Sequence, residues 1–369
     1  MTKERTTMAK TSKFLQRPTV PIAVTDKSVS ELMDAMASTG FQGRKLGESV
    51  ETWAHMLKDS NLTIFMGLTG AMCPAGMRKI VAYFIQNRMI DCLVSTGANM
   101  FHDIHESLGG KHYVGSHAAN DEALFKEGVD RIYDVFAVEK QFRKTDHIIA
   151  DFSETLEPDR PYSSREFMFL LGKWLHEQGA DHDSVVVSAY MHNVPIFVPA
   201  LCDSSIGIGL MVARRGGRAI NVDQMKDVDD ITQIIENSKK TGVIYVGGGV
   251  PKNFIQQTEV IASILGLPIE GHSYAIQYTT DAPHWGGLSG CTFEEAVSWG
   301  KIAAVAPKVQ VFADATIALP VVSHALAQKT SSYIKKRSAP RYDWSGKKLK
   351  LKYAAVTPKQ KAKPSKEKK

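Results

Sequence analysis

A lysine at the end of a helical stretch is the residue of this sequence best suited to covalent chemistry. Lys301 closes the string Glu295-Ala-Val-Ser-Trp-Gly-Lys301, beside Trp299 and Gly300. An amine attacks a carbonyl or imine carbon only when it is uncharged, and an apolar, aromatic-walled setting lowers the pKa of a lysine toward that form. Trp299 is the candidate wall. The alternative is a solvated lysine favoured by the dipole of the helix end, and on the string alone this alternative is the stronger.

Three glycine-rich loops, each after an apolar run typical of a strand, form the second group of candidates. They are Gly67-Leu-Thr-Gly-Ala71, Ser95-Thr-Gly-Ala98 and Gly247-Gly-Gly-Val-Pro251. In open α/β sheets ligands bind beyond the carboxyl ends of the strands, and glycine lets the backbone approach a phosphate closely. The triple glycine lacks the Gly-x-Gly-x-x-Gly spacing and alone is as often a tight turn. Three such loops together indicate a dinucleotide site.

Two aspartates follow predicted strand ends and could contact the same ligand. Asp203 lies in Pro199-Ala-Leu-Cys-Asp-Ser-Ser205, and Asp314 in Phe312-Ala-Asp-Ala-Thr316. A carboxylate at this place can accept hydrogen bonds from ribose hydroxyls. It can equally cap the N-terminus of the following helix. The residues leave both interpretations open.

A histidine-rich string, His102-Asp-Ile-His105-Glu106, resembles a metal site because residues three and four apart share a helix face. It lacks the His-Glu-x-x-His order, and the sequence has no other dense cluster of histidine or cysteine to complete a site. We therefore predict no metal. The segment from Thr279 to Gly290, rich in Trp, His and Gly, is predicted to be a binding loop that leads into the helix of Lys301.

The length and composition of the sequence limit the class of protein to which these residues can belong. The 369 residues, 43% hydrophobic and 23% charged, are typical of a globular protein with one large α/β domain or two smaller ones. No apolar run is long enough to span a bilayer. The cysteines are far apart and form no Cys-x-x-Cys pair, which is typical of reduced thiols and predicts a cytoplasmic protein. They are Cys73, Cys92, Cys202 and Cys291.

The net charge of +6 is divided unevenly along the chain. Residues 335–369 hold 14 of the 45 basic side chains and only two of the 39 acidic ones, a net of +12. The first 334 residues therefore carry 31 basic and 37 acidic side chains, a net of −6, which tolerates a cationic substrate. We predict a polar arm over residues 1–27 and a basic, disordered tail over 335–369. For that tail, solvation is favoured over nucleic-acid binding.

Short apolar runs recur, each followed by a segment of helix length, which is the pattern of a doubly wound sheet. Predicted strands cover 62–66, 92–95, 196–198, 243–246, 274–278 and 309–312. Helical periodicity covers 30–37, 75–88, 164–178, 227–239, 252–265, 293–303 and 317–336. We predict one large, dinucleotide-binding-like α/β domain over residues 28–334, with a mostly parallel doubly wound sheet.

These residues together resemble the deoxyhypusine synthase family. The match is carried by Glu294-Glu-Ala-Val-Ser-Trp-Gly-Lys-Ile302, by Gly247-Gly-Gly-Val250, by Val198-Pro-Ala-Leu201 with Asp203, and by Phe312-Ala-Asp-Ala315. The first string is highly specific to that family, and the resemblance runs from about residue 39 to 329. The family works as a homotetramer with active sites at dimer interfaces and uses NAD. It oxidises spermidine, releases 1,3-diaminopropane, and passes the remaining aminobutyl group through a lysine imine to a lysine of a translation factor.

The resemblance implies a role for each candidate residue. Lys301 would form the imine, with Glu295 as the negative partner of an ammonium and Trp299 as a cation–π face. The implied NAD-binding residues lie in the loop Gly67 to Pro74 and at later positions, and comprise Thr69, Gly70, Thr96, Gly97, Ala98, Asp203, Gly248, Thr280, Ser289, Asp314 and Ala315. The implied substrate-binding residues are Glu295, Trp299, Asn253, His284, Trp285 and Gly286.

Several positions depart from the family pattern. Where the family's spermidine pocket carries acids, this chain has His102, Ile208, Trp285 and Leu288, and Asn253 replaces the pocket histidine. Acids pair with the ammonium groups of spermidine, and a buried ammonium without a partner is costly. Asp281 and His284 could supply replacement contacts, or the donor or acceptor amine differs. The chain is most similar to the bacterial-type, deoxyhypusine synthase-like branch, and some members of the wider family use putrescine as acceptor and make homospermidine.

The sequence thus supports one leading hypothesis and three alternatives. The leading one is an NAD-dependent transferase that moves an aminobutyl group from a polyamine through Lys301, with a small amine as acceptor and a homospermidine-type product. Deoxyhypusine synthesis on a protein lysine is the first alternative, and a non-catalytic NAD-binding homologue is the second. The third is a metal hydrolase built on His102, His105 and Glu106.

Overall fold

Apolar runs that are buried over their whole length form the strands of the central sheet. The computed structural model describes residues 15–268, 270–286, 291–346 and 348–356 of the chain. Its strands are β1 (Leu62–Leu68), β2 (Cys92–Ser95), β3 (His112–Val114), β4 (Val129–Ile132), β5 (Val135–Val138), β6 (Pro161–Tyr162), β7 (Ile196–Phe197), β8 (Asn221–Val222), β9 (Lys240–Val246), β10 (Tyr274–Thr279), β11 (Lys308–Phe312), β12 (Ser338–Asp343) and β13 (Lys350–Ala355).

Helices follow most strands of the sheet. They are α1 (Val29–Met36), α2 (Phe41–Lys58), α3 (Arg78–Gln86), α4 (Gly97–Ser107), α5 (Asp121–Glu127), α6 (Glu139–Ser153), α7 (Ser164–Glu177), α8 (Val185–His192), α9 (Ser205–Arg215), α10 (Gln224–Asn237), α11 (Gly249–Ile264), α12 (Phe293–Ser298) and α13 (Ala315–Thr330). Short π or 3₁₀ segments cover Cys73–Met77, Pro283–Trp285 and Ile334–Lys336. None of the helices in the described part of the chain is both long and apolar enough to cross a membrane.

The central sheet has six strands in the order β11-β10-β9-β1-β2-β7, and every pairing in it is parallel. Neighbouring residues along a strand point to opposite faces. Ile64 and Ile244 accordingly belong to one apolar core, and Phe65 and Val243 to a second core on the other face. Both faces are covered, as expected for parallel strands with continuous apolar sequences. The predicted fold, a mostly parallel doubly wound α/β sheet, is confirmed.

The direction of winding reverses between β1 and β9. From β1 the chain proceeds to β2 and β7 on one side, whereas β9, β10 and β11 extend the sheet on the other side. A crevice forms at such a reversal, because the loops after the two central strands turn away from each other, and ligands of open α/β sheets bind there. The loops after β1 and β9 begin at Thr69 and Gly247, so two of the three predicted glycine-rich loops border this crevice.

The tail prediction is wrong as far as residue 356. Strands β12 and β13 form an antiparallel hairpin, and Arg337 just before it is buried and paired with buried Asp91 at 2.6 Å. The Arg337 guanidinium also donates to the Leu62 carbonyl at 3.1 Å. Its charge helps to hold the pKa of Asp91 below its ordinary value against desolvation, the largest influence on that carboxyl. The rest of the predicted tail, from residue 357, lies outside the described residues.

Two more features differ from the sequence prediction. The predicted helix 293–303 ends at Ser298, because Gly300 adopts a left-handed conformation at φ 68° that terminates it. The sequence analysis did not predict the small antiparallel sheet of β3, β5 and β4, whose strands have three or four residues and are only partly buried. In the predicted N-terminal arm, residues 15–27 contain no helix or strand.

Candidate active site

Three of the predicted cofactor loops contact one another at the carboxyl edge of the sheet. Thr69 Oγ1, after β1, donates to the Gly248 carbonyl after β9 at 2.6 Å. The carbonyl of Gly70 accepts from Asn99 Nδ2 in the first turn of α4 at 2.8 Å. A Cβ atom on Gly247, which has φ 71°, would lie 3.2 Å from Thr69 Cβ, so the close approach of these loops favours glycine.

The loop after β2 contacts the loop that carries Asp203. Thr96 caps α4 by accepting from the Asn99 amide, and a Cβ atom on Gly97 would lie only 2.1 Å from Ser204 Oγ. Asp203 is exposed and does not cap α9, whose N-cap is Ser204 without a side-chain hydrogen bond. Asp203 directly precedes Ser204, the residue that contacts Gly97 at the start of α4.

Asp314 caps the N-terminus of a helix, which is one of the two roles that the sequence left open for it. Its side chain caps α13 by accepting from the amide and the hydroxyl of Thr316, both at 2.7 Å. It also lines a cavity of about 560 Å³ whose other side is the loop Ala71–Gly76. Thr280 follows β10, and Ala315 is the first residue of α13, so both lie at the same carboxyl edge. Ser289 lies outside the described residues.

This edge fits a dinucleotide in its geometry and donor set. Helices α4 and α11 start at two of the glycine loops of this edge, so their unpaired amides can face an anion. Gly249 has a φ of 59°, a left-handed conformation that favours glycine, so no side chain covers the backbone of the triple-glycine loop at this point. Thr69, Gly70, Thr96, Gly97, Asp203 and Gly248 are therefore brought together, while Thr280, Asp314 and Ala315 extend the edge past β10 and β11.

Lys301 is the last residue of the motif that caps the C-terminus of α12. The Lys301 amide donates to the Ala296 carbonyl at 3.0 Å and the Gly300 amide to Val297 at 3.0 Å, the two bonds of a Schellman motif with Gly300 as its left-handed residue. The Lys301 carbonyl in turn accepts from the His272 amide at 3.0 Å. The backbone of Lys301 is thus held on both sides, which fixes where its side chain starts.

The side chain of Lys301 is partly buried and lies against Trp299, with Nζ 5.2 Å from the ring centroid. Trp299 is itself 63% exposed, and Glu295 is exposed as well. The aromatic contact expected from the sequence is therefore present on one side of Lys301, whose side chain remains partly exposed in the single chain. Among the remaining predicted substrate residues, Asn253, His284 and Gly286 are exposed, and the side chain of Trp285 is outside the described set.

A second lysine, which the sequence analysis did not single out, lies beside this segment. Lys252 is 1% exposed in the first turn of α11, and its Nζ donates to Gln277 Oε1 at 3.1 Å and to the Cys291 carbonyl. The rings of Tyr245 and Phe293 lie 5.7 and 5.6 Å from the same nitrogen. Lys252 therefore joins the helix that begins at the triple glycine to the segment that leads into α12.

Burial chiefly, and the neighbouring charge of Lys301 as well, lower the pKa of Lys252, while Cys291, Glu295 and Asp281 act in the opposite direction; the resulting pKa is about 8. These interactions place two amines and two carboxylates in one electrostatic group. Helical periodicity could have indicated Lys252, because it lies three residues before buried Ile255, on the same helix face. Its burial depends on β10 and the loop after it, which no local pattern of α11 reveals.

The hydrogen bond from the His272 amide to the Lys301 carbonyl is called the His272 clamp below. The side chain of His272 is itself held by a buried, uncharged partner, Glu259. His272 Nδ1 lies 3.1 Å from Glu259 Oε1 on α11, and both side chains are fully buried. Desolvation raises the pKa of Glu259 to about 8 and lowers that of His272 to about 3, so near neutral pH the pair is carboxylic acid and neutral imidazole. A Cβ atom on Gly271, at φ 86°, would lie 2.8 Å from the Gly300 carbonyl.

The histidines considered for a metal site have other partners. His102 Nδ1 lies 3.0 Å from His112 Nε2, and His105 Nδ1 lies 3.2 Å from Thr145 Oγ1. Glu106 Oε1 contacts His112 Nδ1 at 2.7 Å. Within the described residues no group of three His, Cys, Asp or Glu side chains is arranged to hold a metal ion. The three residues of the hydrolase alternative do not converge on one point.

Fold and site together define a doubly wound, dinucleotide-binding-like α/β protein with a lysine in the C-terminal cap of α12. Comparison with protein families matches residues 31–326 to the family described as deoxyhypusine synthase. The chain belongs to the deoxyhypusine synthase family.

Individual relatives agree with this assignment. The chain is 69% identical over 333 residues to "Probable deoxyhypusine synthase 2" of Methanosarcina mazei, an alignment that covers 90% of this chain and 96% of the relative. It is 38% identical over 314 residues to the "Deoxyhypusine synthase-like protein" of Chlorobaculum parvum, covering 84% and 89%. A solved structure, "Crystal Structure of a putative deoxyhypusine synthase from Entamoeba histolytica", shares the fold with a TM-score of 0.57 at 19% identity, over 84% of this chain and 97% of the other.

Proposed function

We propose that the protein is an NAD-dependent transferase that moves an aminobutyl group from a polyamine through an imine on Lys301. The observation that carries the proposal is the double constraint on Lys301. Its backbone is fixed by the Gly300 cap and the His272 clamp, and its amine is electrostatically coupled to Lys252 on the helix that starts at the triple-glycine loop. A lysine with a solubility role alone requires neither constraint.

The loops of Thr69, Thr96 and Gly248 would hold NAD, which would supply the hydride acceptor for oxidation of the donor amine and the hydride donor for the final reduction. The uncharged Lys301 Nζ adds to the imine carbon of the oxidised donor. The bond from that carbon to the former secondary-amine nitrogen then breaks, and the aminopropyl group leaves with that nitrogen as 1,3-diaminopropane. The acceptor amine then displaces Lys301 from the carbon. Trp299 offers its ring face to the cationic chain at the entrance, and Glu295 and Asp281 supply negative charge for its ammonium groups.

We propose a homotetramer with its active sites at dimer interfaces, as the family resemblance implies. The exposed ring of Trp299 and the partial exposure of Lys301 support this assembly, because a neighbouring copy can exclude the water that a carrier amine must avoid. The four cysteines are free, which agrees with a reducing compartment such as the predicted cytoplasm.

For the acceptor we propose a small amine and a homospermidine-type product. The positions where the family carries acids hold His102, Ile208, Trp285 and Leu288 here, so the pocket offers less negative charge to a long polycation. Transfer to a protein lysine is the alternative, and it requires a substrate protein that inserts its own amine.

Product analysis tests the proposal. Purified protein with NAD and spermidine labelled in its aminobutyl portion is incubated with and without putrescine, and the amines are separated by mass. We expect released 1,3-diaminopropane and labelled homospermidine with the wild type and with Lys308→Ala, whose lysine opens β11 and donates to the Ala304 carbonyl. Lys301→Ala should give neither product. Label found only on an added lysine-bearing translation factor would support the alternative, and no transfer to any acceptor would overturn the proposal.

A further inference from the structure

A chain of hydrogen-bonded side chains leads from Glu106 through His112 to His102. Glu106 Oε1 lies 2.7 Å from His112 Nδ1, and His112 Nε2 lies 3.0 Å from His102 Nδ1. The three residues belong to two different elements, since Glu106 and His102 lie on α4 and His112 opens β3. His112 is 6% exposed, so water does not compete freely for these bonds.

The order of donors in this chain follows from its end. A carboxylate only accepts, so His112 donates from Nδ1 to Glu106 and presents a lone pair at Nε2. His102 must then donate from Nδ1 to that lone pair, which leaves the lone pair of His102 at Nε2. A proton that arrives at His102 Nε2 can therefore pass through both rings and come to rest beside the Glu106 carboxylate.

The surroundings favour a neutral His102 at rest. Burial, and next the charge that His112 and His105 would carry, lower the pKa of His102 to about 3, and burial lowers that of His105 to about 4. The ring of Phe142 packs against all three imidazoles at 4.8 to 6.0 Å. Positive charge on the cluster is best matched at His112, because Glu106 lies there.

Other charged groups that face the cluster are already paired. Arg78 Nη1 lies 3.7 Å from the second oxygen of Glu106, and its Nε lies 2.9 Å from buried Asp103. Asp103 also accepts from the hydroxyl of Ser184 at 2.6 Å. His105 is bound to Thr145 on α6. The only carboxylate bonded to an imidazole of this cluster in the described structure is therefore Glu106.

The hydrogen-bonded series of Glu106, His112 and His102 lies next to the proposed site. His112 lines the cavity of about 560 Å³ that is bounded by the loop Ala71–Gly76 and by Asp314. Helix α4, which carries His102, begins at the Thr96 loop of the cofactor edge.

We infer that Glu106, His112 and His102 form a proton relay for the amine that is oxidised at this site, an inference that rests on the proposed function. When an amine becomes an imine, its C–H hydrogen leaves as a hydride to the oxidised nicotinamide dinucleotide and its N–H hydrogen leaves as a proton. His102 Nε2 takes that proton, the Nδ1 proton of His102 moves to His112 Nε2, and the resulting imidazolium is stabilised by Glu106. The reverse path returns the proton when the final imine is reduced.

The first test needs neither cofactor nor amine. Nitrogen-15 NMR of the histidine rings in the intact protein assigns the tautomers, and we expect protons on Nδ1 of both His102 and His112. In Glu106→Gln the amide can donate to His112, so the His112 tautomer is expected to change while that of exposed His117 does not. Protons on Nε2 of both rings in the wild type would overturn the relay.

The second test measures single-turnover formation of the reduced nicotinamide after mixing protein, NAD and spermidine or putrescine. Loss of a general base typically lowers a rate by about 10²- to 10⁴-fold, and we expect a loss in this range for His112→Ala, with recovery on addition of free imidazole. His117→Ala, an exposed histidine near the same sheet, should keep the wild-type rate. Circular dichroism and amine binding confirm that each variant is folded and loaded.

The outcomes separate the two proposals. A wild type that oxidises no polyamine would overturn the proposed function together with this role of the relay. An active wild type with a His112→Ala variant of equal rate would overturn the relay alone. A slow His112→Ala that binds amine normally but is not rescued by imidazole points to a structural role for the ring and also overturns the relay.

Discussion

Substitution of Lys252 by methionine changes the buried amine next to the proposed carrier lysine and leaves a side chain of similar length. The pKa of Lys252 is about 8 against an ordinary 10.5, which amounts to roughly 3 kcal/mol for keeping the amine charged in the folded protein. Methionine removes that cost. It also leaves the Cys291 carbonyl without this donor, at about 1–3 kcal/mol, whereas Gln277 Oε1 keeps the hydrogen bond from Gln310 at 3.0 Å.

The pH dependence gives the sharper expectation, because it does not depend on the lost hydrogen bond. A basic group with a lowered pKa in the folded state destabilises the fold below that pKa and stops doing so as the pH rises to the unfolded value. For Lys252 the cost is complete below pH 8, fades between about 8 and 10.5, and is absent above. The stability of Lys252→Met relative to the wild type should therefore fall by roughly 3 kcal/mol across that window.

Urea unfolding of both proteins near pH 7 and near pH 10 measures this change. Lys140→Met, an exposed lysine of α6, serves as the matched control and should show little change in relative stability between the two conditions. If the difference in unfolding free energy between Lys252→Met and the wild type is the same near pH 7 and near pH 10, Lys252 is not a buried amine of lowered pKa. We also expect less covalent trapping on Lys301 in this variant, because Lys252 holds the segment that leads into α12.

Two other substitutions address the clamp on Lys301. Gly271→Ala would place a Cβ atom 2.8 Å from the Gly300 carbonyl, so it should destabilise the protein and reduce covalent trapping on Lys301. The control is Gly266→Ala, where φ is a similar 72° but no atom lies within 4 Å of the added Cβ, and its effects should be smaller. Equal effects of the two substitutions would contradict the clamp. Glu259 has a raised pKa of about 8, so its contribution to stability is lost as the pH rises from 4.5 through 8. Glu259→Gln should gain several kcal/mol over the wild type across that window, measured by urea unfolding, and a constant difference would contradict the neutral acid.

The sheet could be predicted from sequence because its signal is local. Buried parallel strands are continuous apolar runs, and 62–66, 92–95 and 243–246 all fall within observed strands. The loops that follow such strands lie at one edge by topology alone, so Thr69, Thr96 and Gly248 could be placed near one another without knowledge of side-chain packing. In the structure these loops are in contact with one another.

Other features depend on distant parts of the chain and could not be predicted in the same way. The burial of Lys252 is created by Gln277 and Cys291, and the proton relay by a histidine of the small sheet. The hairpin after residue 337 was hidden by its lysines, although Tyr342 and Leu349 supply buried apolar contacts. The end of α12 was readable, since glycine two residues after the last helical residue is a common terminator.

The central claim is that Lys301 carries the aminobutyl group, and borohydride trapping tests it most directly. Protein is incubated with NAD and spermidine, reduced with borohydride, digested and sequenced by mass spectrometry. We predict an aminobutyl adduct on Lys301 that requires NAD, persists in Lys308→Ala, and disappears in Lys301→Arg although NAD still binds. An adduct on Lys252 instead, or equal modification with and without NAD, would contradict the account.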